Sequence, residues 1–302
     1  MNKSVYDRFY SRVPQEQKER LRRFRSTHPY RHLGVDDATW KYISCGQGDD
    51  TLWLLTGGTG IAEGMMLALA ALESEYRIVS PTYPPVTTIE QLVEGIMTIL
   101  DSEGIHSVSV LGQSFGGMLA QVIVREYPER VDRLILSHTL TTSPLVDRAI
   151  ILERQRRNER FLRMLPFLPF GMIRLVTRKR ISRLISMMNT QDRGFWKAYF
   201  HEMLSCMTKE YLIANLKWES DFFQNYMFSE NDLASWPGEI LILESDNDVF
   251  IDPSQRQAIR ELYQQARVHT FHGTGHLTII VNREAFVSVV RDFLANDGGA
   301  IS

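Results

Sequence analysis

The sequence predicts an α/β fold: a mainly parallel sheet covered by helices on both faces, with a helical cap inserted in it. Short strand-like runs alternate with helical patterns along most of the chain. Several of these runs, such as 52–55 and 240–243, are apolar at every position. Continuous apolar strands suit a parallel sheet between two helix layers. The alternation stops between residues 144 and 232, which predicts the cap.

The elements follow in order along the chain. Strands are predicted at 40–45, 51–55, 76–80, 107–111, 133–137, 239–243 and 267–271. Helical patterns cover 61–74, 87–103, 115–127, 254–265 and 282–295. The predicted organisation is therefore a core of 33–143 and 233–302, with the cap at 144–232.

The composition excludes several classes of protein. Of 302 residues, 44% are hydrophobic and 23% are charged, which excludes a disordered chain and a fibre. The 34 basic and 36 acidic residues nearly cancel, whereas a chain devoted to nucleic acid is normally basic. Two cysteines cannot form a disulfide framework, and the N-terminus lacks the apolar stretch of a secretory signal. We expect a cytoplasmic protein without a nucleic-acid partner.

Two segments are nevertheless strongly basic. Residues 1–32, predicted as a helical extension, carry nine Lys/Arg against three acids, and residues 145–190 carry eleven against three. Two interpretations stay open: a solvated helix face, or a patch for an acidic substrate or for weak contact with an anionic membrane surface.

In the cap, Pro166 and Pro169 interrupt the apolar stretch 161–173 and should bend it. This stretch is either ordinary lid core or a wedge that touches lipid.

The most informative motif is Gly-Gln-Ser-Phe-Gly at 112–116, between a predicted strand and a predicted helix. In such a tight turn the central residue adopts strained backbone angles, and the flanking glycines avoid collisions with the strand and the helix. The turn exposes the Ser114 hydroxyl at the carboxyl edge of the sheet. The helix N-terminus behind it directs amides at developing negative charge. Ser114 is the predicted nucleophile.

A serine nucleophile needs a base, and the base needs a carboxylate. Among eight histidines, His276 lies between the last predicted strand and the last predicted helix, with His272 as the runner-up. The acid-rich loop after the sixth predicted strand offers Asp248 first and Asp246 second. Ser114, Asp248 and His276 occur in the chain order that this kind of sheet imposes.

With these residues in view, the chain resembles the α/β-hydrolases from about residue 35 to 295. The matching features are the tight turn around Ser114 (Gly-Gln-Ser-Phe-Gly-Gly at 112–117), Tyr-Pro-Glu-Arg-Val at 127–131, the Asp248 loop and Gly275-His276. The resemblance implies a serine hydrolase that acts on an ester, thioester, amide or activated C–C bond. The cap is rich in Leu, Met and Phe, so an apolar acyl substrate fits, unless these residues form only the core of the cap itself.

The resemblance also implies an oxyanion hole. One amide would come from Phe115 and the second from Gly58, in the loop after the predicted strand 51–55. The usual His-Gly pair of the family is Thr56-Gly57 here, a departure that keeps backbone amides in the loop.

No phosphate-binding motif is present, and His28 and His32 have no third ligand nearby in sequence. We therefore predict neither a cofactor nor a metal.

A closer similarity concerns the N-terminal part of the chain. Phe-Arg-Ser-Thr-His-Pro at 24–29, and 76–79 leading to Tyr83-Pro84, resemble the maspardin branch of the superfamily. This similarity keeps an alternative open, a binding or adaptor protein that retains the fold without turnover. The intact Ser, Asp and His favour the hydrolase.

Overall fold

The structure, a computed structural model, describes residues 8–188 and 190–295. Its centre is an eight-stranded sheet of order β1-β2-β4-β3-β5-β6-β7-β8. The strands are β1 (Arg31–Val35), β2 (Ala38–Cys45), β3 (Thr51–Leu55), β4 (Arg77–Thr82), β5 (Val108–Gln113), β6 (Val131–Ser137), β7 (Glu239–Ser245) and β8 (Arg267–Phe271). β2 is antiparallel to both of its neighbours, and β3 to β8 are parallel. The predicted fold class is confirmed.

Helices cover both faces of the sheet. They are α1 (Gln15–Thr27), α2 (Met66–Leu72), α3 (Ile89–Ser102), α4 (Phe115–Glu126), α5 (Arg148–Met164), α6 (Phe170–Met187), α7 (Arg193–Cys206), α8 (Lys209–Asn225), α9 (Pro253–Leu262), α10 (Thr278–Val281) and α11 (Arg283–Ala295). Successive side chains of a strand point to opposite faces. Trp53 and Leu55 of β3 accordingly pack into one buried cluster with α3 and α4, whereas Leu52 and Leu54 join α2 and α11 in a second.

The helices α5–α8 form one segment between β6 and β7. Because β7 pairs directly with β6, this helical segment lies outside the sheet. No strand occurs in its described residues, 144–188 and 190–232. α5 ends at Met164, a short 3-10 turn follows, and α6 begins at Phe170, so the chain breaks at the two prolines as the sequence predicts. In the described part of the chain, no helix has the length and apolar character that crossing a membrane requires.

The prediction of a helical extension over 1–32 was wrong at its end. α1 stops at Thr27, and Arg31 and His32 already belong to β1. Pro29 prevents the helix from continuing, and the following residues form a hairpin with β2. β1 escaped detection because it is an edge strand with a largely exposed, weakly apolar pattern. Residues 1–7 lie outside the described residues.

The basic face of α1 is not wholly solvated either. The Arg25 guanidinium donates two hydrogen bonds of 2.6 and 2.7 Å to Glu63, after β3, and two of 2.9 and 3.1 Å to Glu202 of α7. Tyr10 also donates to Glu202. Both carboxylates are buried. This Arg25 clamp (Tyr10, Arg25, Glu63 and Glu202) joins α1, the sheet core and the helical segment.

Candidate active site

The turn between β5 and α4 holds Ser114 in a strained conformation. Its φ and ψ are 54° and −117°, a region that residues with a side chain rarely adopt. The Ser114 amide donates to the Ser137 carbonyl (2.8 Å), and the Thr139 hydroxyl donates to the Ser114 carbonyl (2.7 Å). These two bonds fix the serine at the carboxyl end of β5.

The flanking glycines are needed for steric reasons. A Cβ on Gly116 would lie 2.1 Å from the Leu55 carbonyl oxygen, and one on Gly112 would lie 2.4 Å from the Gly116 carbonyl oxygen. Both contacts are with backbone atoms, which side-chain movement cannot relieve. The turn therefore requires glycine at the two positions.

The backbone carbonyl oxygens of the loop after β3 are engaged in hydrogen bonds within the protein. The carbonyls of residues 56, 57, 58 and 59 accept from Tyr83, from the Gly60 amide, from Asn215 and from Tyr211. Within the described residues, the amides of Gly58 and Phe115 donate no hydrogen bond. These two amides, which the family resemblance selected, are thus available to an anion.

His276 and Asp248 form a buried pair. The distance from His276 Nδ1 to Asp248 Oδ2 is 2.8 Å, and the side chains are 11% and 1% exposed. The other Asp248 oxygen accepts from the amides of Phe250 (2.8 Å) and Ile251 (3.2 Å). Burial on its own would raise the pKa of Asp248. The hydrogen bond and charge of His276 and the Phe250 amide outweigh it and hold this pKa below its ordinary value.

The runners-up from the sequence pair with each other instead. His272 Nδ1 lies 2.9 Å from Asp246 Oδ2, but the His272 side chain is 83% exposed. Neither residue lines the cavity that contains Ser114. The geometry therefore favours Asp248 and His276 over Asp246 and His272.

Ser114 and His276 line one cavity of about 440 Å³. Their side chains are not hydrogen-bonded to each other among the contacts of the described residues, and such bonds often tighten only when substrate binds. The wall is mainly apolar and combines the core with the helical segment. It includes Met118, Leu140, Leu184, Trp196, Phe200 and Phe286.

Two arginines of α5 also line this cavity, which the sequence did not predict. Arg154 donates to the Phe250 carbonyl (3.2 Å), and the Phe250 ring packs against the His276 ring with 4.9 Å between the centroids. Arg157 is exposed and, within the described part of the chain, makes no hydrogen bond or ion pair. The basic composition of 145–190 was the only signal for them, and it could not separate cavity residues from surface residues.

Gln113 and His138 form hydrogen bonds with residues at and beside the site. Neither of them was predicted from the sequence. Gln113 Nε2 donates to the His276 carbonyl (3.2 Å), and Gln113 Oε1 accepts from Ser137 (2.7 Å). His138 Nδ1 lies 3.0 Å from Ser137 Oγ, and His138 Nε2 lies 2.7 Å from Thr278 Oγ1. A histidine directly after β6, at the same edge of the sheet as Ser114, was the available signal.

The buried His138 ring stays neutral in the folded protein. Burial, together with the nearby charge of His276, lowers its pKa to about 3. In the unfolded chain the pKa of a histidine is about 6.5, so below that pH the unfolded state binds a proton that the folded state does not. His138 should therefore reduce the free energy of unfolding as the pH falls from about 6.5.

We expect this free energy to fall by about 2 kcal/mol more in the wild type than in His138→Gln between pH 7 and pH 5. Urea unfolding at the two pH values measures the difference. An equal loss in both proteins would show that His138 is not the titrating group.

One group of residues brings together possible metal ligands in the described part of the chain. The ligand atoms of His28, Cys45 and Glu73 lie within 4.8 Å of one another, and His28 Nε2 is 2.8 Å from Glu73 Oε2. Burial and the Glu73 carboxylate raise the pKa of the Cys45 thiol to about 12. The other ring nitrogen of His28, Nδ1, lies 2.9 Å from the Phe24 carbonyl oxygen, so both nitrogens already have partners within the fold. We assign these residues to packing between the end of α1, β2 and the residue after α2.

Comparison with known proteins identifies a family and several relatives of this chain. A family model described as alpha/beta hydrolase fold matches residues 73–283, more than half of the chain. A 2-hydroxymuconate semialdehyde hydrolase of Pseudomonas sp. (strain CF600) is 26% identical over 213 residues, which cover 70% of each protein. A proline iminopeptidase of Lactobacillus crispatus (strain ST1) is 22% identical over 232 residues, or 70% of this chain and 74% of that protein.

Solved structures show the same fold. A hydrolase from Pseudomonas aeruginosa PA01 superposes with a TM-score of 0.70 at 19% identity, covering 89% of this chain and 99% of that one. At this identity the likeness concerns the fold alone.

Proposed function

Because the chain belongs to the alpha/beta hydrolase fold family, we propose that it is a serine hydrolase whose catalytic residues are Ser114, His276 and Asp248. One observation carries the proposal. His276, which is paired with the buried Asp248, lines the same cavity as Ser114, and Ser114 lies on a strained turn. That combination is what nucleophilic catalysis by a serine requires.

The proposed reaction has two halves. His276 removes the proton of Ser114 as Oγ attacks the substrate carbonyl, and then gives this proton to the leaving group, which departs and leaves an acyl-enzyme. Water repeats the sequence and releases the acid and the free serine. Asp248 keeps the proton-accepting nitrogen of His276 towards Ser114. We assign the oxyanion to the amides of Phe115 and Gly58. Within the described residues neither amide donates a hydrogen bond, which supports this assignment.

The proposed substrate is a small molecule with an apolar acyl group and an ester-like bond: an ester, thioester, amide or activated C–C bond. The mainly apolar cavity wall supports this class. We also propose that residues 144–232 act as a cap over a core of 33–143 and 233–302, and that this cap sets the size of the substrate. Trp196 and Phe200 of the helical segment face the cavity from that side.

A panel of p-nitrophenyl esters of increasing acyl length tests the proposal. We expect turnover that rises and then falls with acyl length, as the cavity fills, and that is unchanged by EDTA. The panel should include half-esters of dicarboxylic acids, since Arg157 adds a cation to the cavity. Loss of activity with EDTA, or no turnover of any ester by folded protein, would contradict the proposal.

A further inference from the structure

The turn between α5 and α6 exposes a large amount of apolar surface. Phe167 is 86% exposed, Met172 is 55%, Leu175 is 53% and Met164 is 48%. Together with Phe161 and Val176, which are also exposed, these four residues form what we call the apolar tip. Soluble proteins rarely leave so many large apolar side chains together in water, and such patches mark interaction surfaces.

The charged residues of the segment that carries the apolar tip have a single sign, although Arg163 pairs with Glu159 of the preceding turn (3.1 Å). Residues 160–190 contain no Asp or Glu but seven Lys and Arg. On α6, Met172, Val176, Lys179 and Arg183 follow one another at helical spacing and so share a face. Along this face the surface passes from apolar to cationic.

The cations on α6 are free to bind a partner. The side chains of Arg178, Lys179 and Arg180 are exposed and form no ion pair or hydrogen bond with any residue that the structure describes. Arg174 differs, since it donates to the carbonyls of Ser205 and Met207 and so belongs to the fold. Arg178 also lies near His201 of α7, and burial together with the charges of Arg178 and Lys197 lowers the pKa of that histidine.

The opposite face of α6 does the packing. Ile173 and Ile185 are buried, and Ile181 and Leu184 line the cavity that contains Ser114. The exposed apolar residues are therefore not the lid core that the sequence left open as an alternative. One helix presents one face to the candidate active site and another to solvent.

We propose that the apolar tip and the cations of α6 dock this protein on an anionic phospholipid bilayer. The tip enters the boundary between headgroups and acyl chains, while the cations lie among the lipid phosphates. A bilayer of this kind matches both halves of the surface. A second copy of the chain would bring cations against cations, which opposes association.

Co-sedimentation of the full chain with phosphatidylcholine vesicles tests the proposal, with and without 30 mol% phosphatidylglycerol. We expect binding to the anionic vesicles in 50 mM NaCl that weakens about tenfold in 500 mM NaCl. The triple variant Arg178→Gln, Lys179→Gln, Arg180→Gln should bind about a hundredfold more weakly. Phe167→Ser should lose about tenfold. The control Val268→Ser, at an exposed apolar position on β8, should bind like the wild type.

Three results would overturn the proposal, provided that every variant keeps the melting temperature of the wild type and is therefore folded. The first is no binding to anionic vesicles in 50 mM NaCl. The second is unchanged binding by Phe167→Ser and by the triple variant. The third is dimerisation in solution, measured by sedimentation, that Phe167→Ser abolishes, since the tip would then contact a second copy.

Discussion

Ser114→Ala and His276→Ala are each expected to lower kcat about a millionfold, because one removes the nucleophile and the other removes the group that takes its proton. Substrate binding should persist, since the apolar cavity wall is unchanged. Steady-state kinetics with the best ester of the panel measures the loss. Melting temperatures near that of the wild type would show that the variants are folded.

Asp248→Asn should lower kcat by a smaller factor, about ten-thousandfold. Asparagine keeps the size of the side chain but loses the charge that stabilises the imidazolium of His276 and fixes its tautomer. The matched control is Asp246→Asn in the same loop, whose partner His272 is exposed and outside the cavity. If Asp246→Asn were the damaging change and Asp248→Asn were mild, the assignment of the acid would be wrong.

Arg25→Met is expected to produce the largest loss of stability, about 3 kcal/mol in the free energy of unfolding. The substitution leaves Glu63 and Glu202 buried without the guanidinium that bridges them. A buried charge without its partner is costly, whereas methionine fills most of the vacated volume. Urea unfolding at neutral pH measures the effect.

The control for Arg25 is Arg23→Met, at an exposed position of the same helix, which should change the stability by less than about 0.5 kcal/mol. Adding Glu63→Gln and Glu202→Gln to Arg25→Met should recover part of the loss, because the uncompensated charges are gone. Equal stability of Arg25→Met and Arg23→Met would mean that the Arg25 clamp contributes nothing.

The candidate site could be predicted because its signals are local. Ser114 directly follows one strand, Asp248 and His276 lie in the loops after two others, and parallel strands bring their carboxyl ends to one edge of the sheet. The turn that carries Ser114 could be recognised from only five consecutive residues, 112–116. β7 and β8 are neighbours in the sheet, so the loops that follow them, which hold Asp248 and His276, lie side by side.

The contacts that join distant segments could not be predicted in this way. Arg25 and Glu202 are separated by 177 positions, and composition left open whether the basic segment with Arg25 is solvated or binds a partner. The same limit applies to Arg157, whose position in the cavity depends on how α5 packs over the core. His138 could have been predicted from the sequence, because it directly follows β6 at the edge of the sheet where Ser114 lies.

The central claim is that Ser114 is a nucleophile activated by His276. Its most direct test is labelling with a fluorophosphonate, followed by mass spectrometry of the peptides. We predict one adduct, on Ser114, that is absent in Ser114→Ala, strongly reduced in His276→Ala and retained in His272→Ala. A folded wild-type protein that takes up no label, or that is labelled elsewhere, would contradict the claim and favour a binding protein with a hydrolase fold.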